Sequence, residues 1–107
     1  MNAAPVWYLN VHRLKPYIWE YADGYLFPNM MLLSWVAPTG GRVVVKLDLL
    51  SCLEVRTSRA QGASEVTVQR AGESHRLQTF ELGYGDSIER LGCETRVEML
   101  DWFNAIQ

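Results

Sequence analysis

Thr95–Gln107 reads TRVEMLDWFNAIQ, and it is the one stretch with an unambiguous helical pattern. Thr95 and Glu98 form the T-x-x-E signature of a capping box, in which the hydroxyl accepts from the amide three residues on and the carboxylate turns back to the cap amide. Met99, Trp102, Phe103 and Ile106 recur at i, i+3, i+4 and i+7, an apolar stripe that leaves Arg96, Asp101 and Asn104 to water. A helix of about a dozen residues is marginal alone in water. Burial of each large side chain returns roughly 1.5–3 kcal/mol, so the stripe must dock on something the preceding residues provide. Those residues read as strands and turns, and the expectation is an antiparallel sheet closed by one C-terminal helix.

Composition sets the outer bounds. The chain has 107 residues, 49% hydrophobic and 21% charged, which is one domain with enough apolar content for a core. Ten Lys and Arg against twelve Asp and Glu give a net charge of -2, so the overall basic footprint of a nucleic-acid binder is missing. Cys52 and Cys93 are too few for a disulfide scaffold and read as free thiols. The start, MNAAPVWYLNVH, lacks the organisation of a signal peptide, and no run reaches the ~18 apolar residues of a membrane span. These features lead to the expectation of a cytoplasmic domain, 1–107, taken from a larger protein.

Along the chain, Val6 to Leu14 reads as the first strand, with Trp7, Leu9 and Val11 on one face and Tyr8, Asn10 and His12 on the other. Tyr17 to Tyr21 is a short strand or packed connection, and Asp23-Gly24 a turn. Gly24 to Phe27 and Met30 to Val36 form a hairpin about Pro28-Asn29, followed by a loop at Pro38-Thr39-Gly40-Gly41. Arg42 to Arg56 reads as one long strand bent near Asp48. Thr57 to Ser64 is a polar loop, and Val66 and Val68 mark a short strand that Ala71-Gly72-Glu73-Ser74 returns. Leu77 to Tyr84 follows with Phe80 and Leu82 inward, then a turn made by Gly83, Gly85 and Asp86 and a last strand with a bulge carrying Ile88 and Leu91. About seven strands and one helix result.

This order of elements, together with the ending FELGYGDSIERLGCETRVEMLDWFNAI and the upstream runs GYLFPNMMLLSWVAP and RVVVKLDLLSCLEVR, resembles the pleckstrin-homology (PH) domain, especially those of Rho-type exchange factors and related signalling scaffolds. The likeness covers roughly residues 24 to 107. It implies a mostly β fold, a seven-stranded bent barrel of two near-orthogonal antiparallel sheets capped by a C-terminal helix. In that layout Trp102 plugs an open end, with Met99, Phe103, Phe80 and Leu82 as structural companions. One departure bears on function. The basic signature that phosphoinositide-binding members carry after the first strand is incomplete: Arg13 and Lys15 stand there, followed by the acidic and aromatic YIWEYAD. Arg42 and Lys46 lie near the next loop of the same open end in the family's layout.

Catalysis finds no motif. His12 and His75 have no second His or Cys at ligand spacing, Ser34 and Ser51 lack a nucleophile elbow, and the glycine pairs lack phosphate-loop context. No cofactor, metal or catalytic residue is expected. Nine Trp and Tyr residues are more than a small core holds, and Tyr8, Tyr17, Trp19 and Tyr21, with outward Leu50, are the candidates for a protein interface. The expected function is a non-catalytic PH-type interaction module of an intracellular signalling or scaffold protein, making protein contacts. The alternative is weak phosphoinositide binding and membrane targeting through Arg13, Lys15, Arg42 and Lys46, which places the protein at a membrane or cell cortex. Self-association is a further expectation to test; a nucleic-acid partner is not expected.

Overall fold

The computed structural model describes residues 3–11, 17–57 and 65–107. Among these residues eight strands precede one helix: β1 (Ala4–Asn10), β2 (Ile18–Phe27), β3 (Met30–Val36), β4 (Arg42–Asp48), β5 (Glu54–Thr57), β6 (Glu65–Arg70), β7 (Glu73–Gly83), β8 (Ile88–Cys93) and α1 (Arg96–Ile106). All described pairings are antiparallel, in the order β4-β3-β2-β1-β8-β7-β5, with β6 also on β7. The fold is therefore mostly β with one C-terminal helix, as expected, but the sheet does not close: β4 and β5 end the order. Among the described residues no helix is long and apolar enough to cross a membrane.

Five local expectations change. β1 starts at Ala4 and ends at Asn10, with Val11 in a turn, rather than running from Val6 to Leu14, and it is buried on both faces, with Val6 and Tyr8 in the main core and Trp7 in a second cluster with Val68 and Leu77. β2 is a single strand, so Asp23-Gly24 is not a turn; Gly24 pairs with Ala4 and Leu33 in mid-sheet. The long strand is broken after Asp48, whose carboxylate accepts from the Leu50 amide at 3.0 Å and the Ser51 hydroxyl at 2.7 Å. Those bonds turn the backbone out of the ladder and hold the Asp48 carboxyl below its ordinary pKa, the Ser51 bond first and the Leu50 amide second. That break turns the one expected strand into β4 and β5 and raises the count among the described residues from seven to eight; β5 and β6 lie along successive stretches of β7, Glu54 to Thr57 against Phe80 to Gly83 and Glu65 to Arg70 against Glu73 to Gln78. Lastly, β8 carries no bulge: it pairs with β7 in unbroken register from Gln78↔Cys93 to Gly83↔Ile88. The polar segment between β5 and β6 lies outside the described residues.

The β6–β7 hairpin turns at Ala71 and Gly72, with φ of 52° and 80°. Both values suit the two-residue turn whose twist matches its strands. Val66, Val68 and Leu77 on this hairpin fold back over Trp7 and Trp19.

The helix begins as its sequence predicts. Thr95 Oγ1 accepts from the Glu98 amide at 3.1 Å, and the Glu98 carboxylate accepts the Thr95 hydroxyl proton at 2.8 Å. Within the stripe, however, only Met99 is fully buried; Trp102, Phe103 and Ile106 are half-buried against the core. Trp102 is thus a cover rather than an enclosed plug. Its ring lies over Gly24, and its indole N–H points to the Pro5 carbonyl at 3.4 Å. Phe80 and Leu82 are fully buried, with Phe80 edge-on to Phe103 at 6.3 Å. Both cysteines are free; burial, followed by Glu98, pushes the Cys93 thiol up to about 12.

Candidate functional site

The aromatic residues of β2 are placed by the strand's own alternation. Trp19, Tyr21 and Asp23 fall on the face away from the main core, opposite Leu9, Trp7 and Pro5 of β1. Trp7 forms the floor, 2% exposed, with the Tyr21 ring 5.0 Å away and the His75 ring 5.7 Å away. Its indole N–H donates to Glu94 at 3.3 Å, and the other Glu94 oxygen accepts from His75 Nδ1 at 2.7 Å. These two bonds, His75 first, hold the Glu94 carboxyl below the usual carboxylate range. His75 is half-buried on Trp7.

Above this floor opens a groove of about 440 Å³ bordered by β2 (Trp19, Glu20, Tyr21, Asp23), the end of β3 with Arg42 of β4, and Gln69 and Arg70 of the β6–β7 hairpin. That volume falls in the usual range of ligand pockets. Arg70 stacks on the Tyr21 ring, 4.4 Å from its centre, a cation–π contact. Arg42 donates to Ser34 Oγ at 2.9 Å. Among the described residues, Arg56, Arg76 and Arg90 are paired with Glu54 or Glu81, Glu65, and Glu81 respectively. Arg42 and Arg70 have no carboxylate within ion-pair distance there, although Glu20 and Asp23 border the same groove.

The predicted site residues divide accordingly. Trp19 and Tyr21 from the interface set and Arg42 from the headgroup set meet in the groove, and Tyr17, 45% exposed, lies just before β2. Tyr8 is corrected: it is wholly buried, its hydroxyl donates to Glu89 at 2.7 Å, and burial followed by that bond raises its pKa. It offers nothing to a partner's surface. Leu50 is 75% exposed but sits in the β4–β5 turn, outside the groove. Lys46 shares the outer face of β4 with Arg42 but stands four residues along it, about 13 Å away at ordinary strand rise. Arg13 and Lys15 lie outside the described residues. Arg70 was missed by sequence reading, though the alternation of Val66 and Val68, extended two residues, puts it on the same face.

Among the described residues no group of three or more His, Cys, Asp or Glu side chains is placed to hold a metal ion. Comparison with known proteins finds no family model, no curated protein and no solved structure that matches the chain.

Proposed function

We propose that this chain is a non-catalytic, PH-type interaction module that docks a protein partner in the groove between β2, the end of β3 and the β6–β7 hairpin. The observation that carries the reading is the grouping of accessible aromatic and apolar side chains there. Tyr17, Ile18 and Tyr21 are 45%, 38% and 37% exposed, beside half-buried Trp19 and two arginines with no carboxylate within ion-pair distance among the described residues. Aromatic residues and Arg dominate the energetics of protein interfaces because they combine large contact area with a polar handle. The PH assignment draws support from the strand pattern: β5 and β6 occupy successive stretches of one neighbour, so the antiparallel order counts seven rows before a C-terminal helix that bears Trp102.

The lipid alternative has less behind it, since Lys46 stands away from the groove, four residues along β4 from Arg42. A retention experiment distinguishes the two. Immobilised wild type, Tyr21→Ser, Arg70→Glu and Leu50→Ser are exposed to cell extract, with circular dichroism of each variant as the folding control. Proteins kept by wild type and Leu50→Ser but lost on the two groove variants are the expected result. Equal retention by all four overturns the groove. Liposome co-sedimentation that requires phosphoinositide, weakens with salt and is lost on Lys15→Glu and Lys46→Glu establishes the lipid reading instead.

A further inference from the structure

The groove coincides with a split in the sheet. β1 pairs with β2 over its whole length, from Ala4↔Gly24 to Asn10↔Ile18. β3 pairs with β2 only from Asp23↔Ser34 to Phe27↔Met30. Residues Ile18 to Ala22 of β2 therefore have a strand neighbour on one side alone among the described residues, and so do Trp35 and Val36 of β3, which pair only with β4. The facing sides of β2 and β3 diverge there, and the groove opens between them.

We infer that an extended, acidic peptide segment of the partner binds this groove as an added strand on the free edge of β2. The inference rests on the protein-docking reading and names its ligand. A free edge presents unpaired amides and carbonyls at strand spacing, which an extended chain satisfies whatever its sequence. Five residues of β2 offer about 17 Å of such edge. Side-chain preference then comes from the two faces of the added strand. The face toward the hairpin meets Tyr21, Arg70 and Arg42, where neither guanidinium has a carboxylate within ion-pair distance among the described residues. Arg70 is preset by its stack on Tyr21, so it offers its N–H groups to a carboxylate with little further loss of freedom. Glu20 belongs to the opposite face of β2, directly across from Tyr8, and Asp23 lies at the end of the split beside Ser34; Glu94, near enough to feel the charge of Arg70, is taken up by His75 and Trp7, so none of the three forms an ion pair with Arg70. β4 is an edge too, but Lys46 stands in it, the kind of charge that blunts strand addition.

The test starts from a displayed library of random linear nonapeptides selected on the folded chain. The expected winners carry Asp or Glu at alternate positions. A synthetic winner should lose about tenfold or more in affinity on Arg70→Glu, and a comparable factor when its alternate amides are N-methylated to block strand pairing. Winners that are proline-rich, or that bind equally well with those amides methylated, overturn strand addition while leaving protein docking intact. Winners indifferent to Arg70→Glu overturn the acidic preference. A library that yields no binder overturns this inference, and the retention experiment with Tyr21→Ser then decides the docking reading separately.

Discussion

Gly24 is the residue at which local and tertiary demands conflict most directly. A Cβ there would stand 2.9 Å from Trp102 Cη2 and 3.0 Å from both Trp102 Cζ2 and Val6 Cγ1. Glycine in mid-strand weakens the strand and is retained where another group approaches closely. Gly24→Ala is expected to cost about 1–3 kcal/mol by overpacking. Trp102→Leu in the same chain should recover part of that loss, giving a non-zero coupling when urea midpoints of the two single variants and the double are compared. Additive effects would mean that the indole does not rest on Gly24. Glu94 carries a second residue-scale prediction. Its carboxyl is held low by His75 and then Trp7, so its folded pKa lies below its unfolded one, and its contribution is complete above about pH 4.3 and lost as pH falls through the folded value. Glu94→Gln cannot ionise. The stability gap between wild type and this variant should shrink as pH drops below about 4, measured by denaturant midpoints across the acid range, and a gap constant down to pH 3 would exclude the linkage.

At the scale of elements, sequence reading succeeded where local chemistry decides and failed where tertiary contact does. The helix start needed only Thr95 and Glu98, three residues apart: the hydroxyl-to-amide contact formed as read, while the Glu98 carboxylate took the Thr95 hydroxyl in place of the cap amide. Phe80 and Leu82 were inward by simple alternation. Asp23-Gly24 was read as a turn because the dipeptide favours one, yet the glycine is there for Trp102, a contact across 78 positions that no local pattern encodes. The break after Asp48 was half visible: an Asp followed by Ser51 offers side-chain bonds to the backbone, but the apolar residues on either side read as continuous. The helix stripe was legible as a stripe, not as a ranking of its members. Trp102 is half-buried and Met99 2% exposed, so their expected costs reverse the order that size alone gives. Met99→Ala should cost about 2–5 kcal/mol, and Trp102→Ala about 1.5–3 kcal/mol, short of the value for an enclosed indole. Thermal unfolding in which Trp102→Ala is clearly the worse of the two would restore the plug.

At the scale of the molecule, β1 is the seam. The strands β2, β3 and β4 follow one another on one side and β8, β7, β6 and β5 lie on the other, and the described ladders of the two groups are joined through β1, which meets β8 only at Trp7↔Gly92 and Tyr8↔Leu91. Adjacent residues of this strand serve different clusters, Trp7 the hairpin cluster and Tyr8 the main core, so β1 cannot slip by one residue without exchanging their surroundings. The Tyr8 hydroxyl also ties the seam to Glu89 of β8. A hydrogen bond to a charged group is worth about 1.5–3 kcal/mol, and Tyr8→Phe removes this one while keeping the ring. If the molecule unfolds as a single unit, that loss must appear equally on both sides of the seam. The slowest-exchanging amides of β3 and of β7 should lose protection by the same factor in native-state hydrogen exchange, between about tenfold and somewhat over a hundredfold. A fall confined to β7 and β8 would mean that the halves open separately and that the seam joins two units rather than holding one.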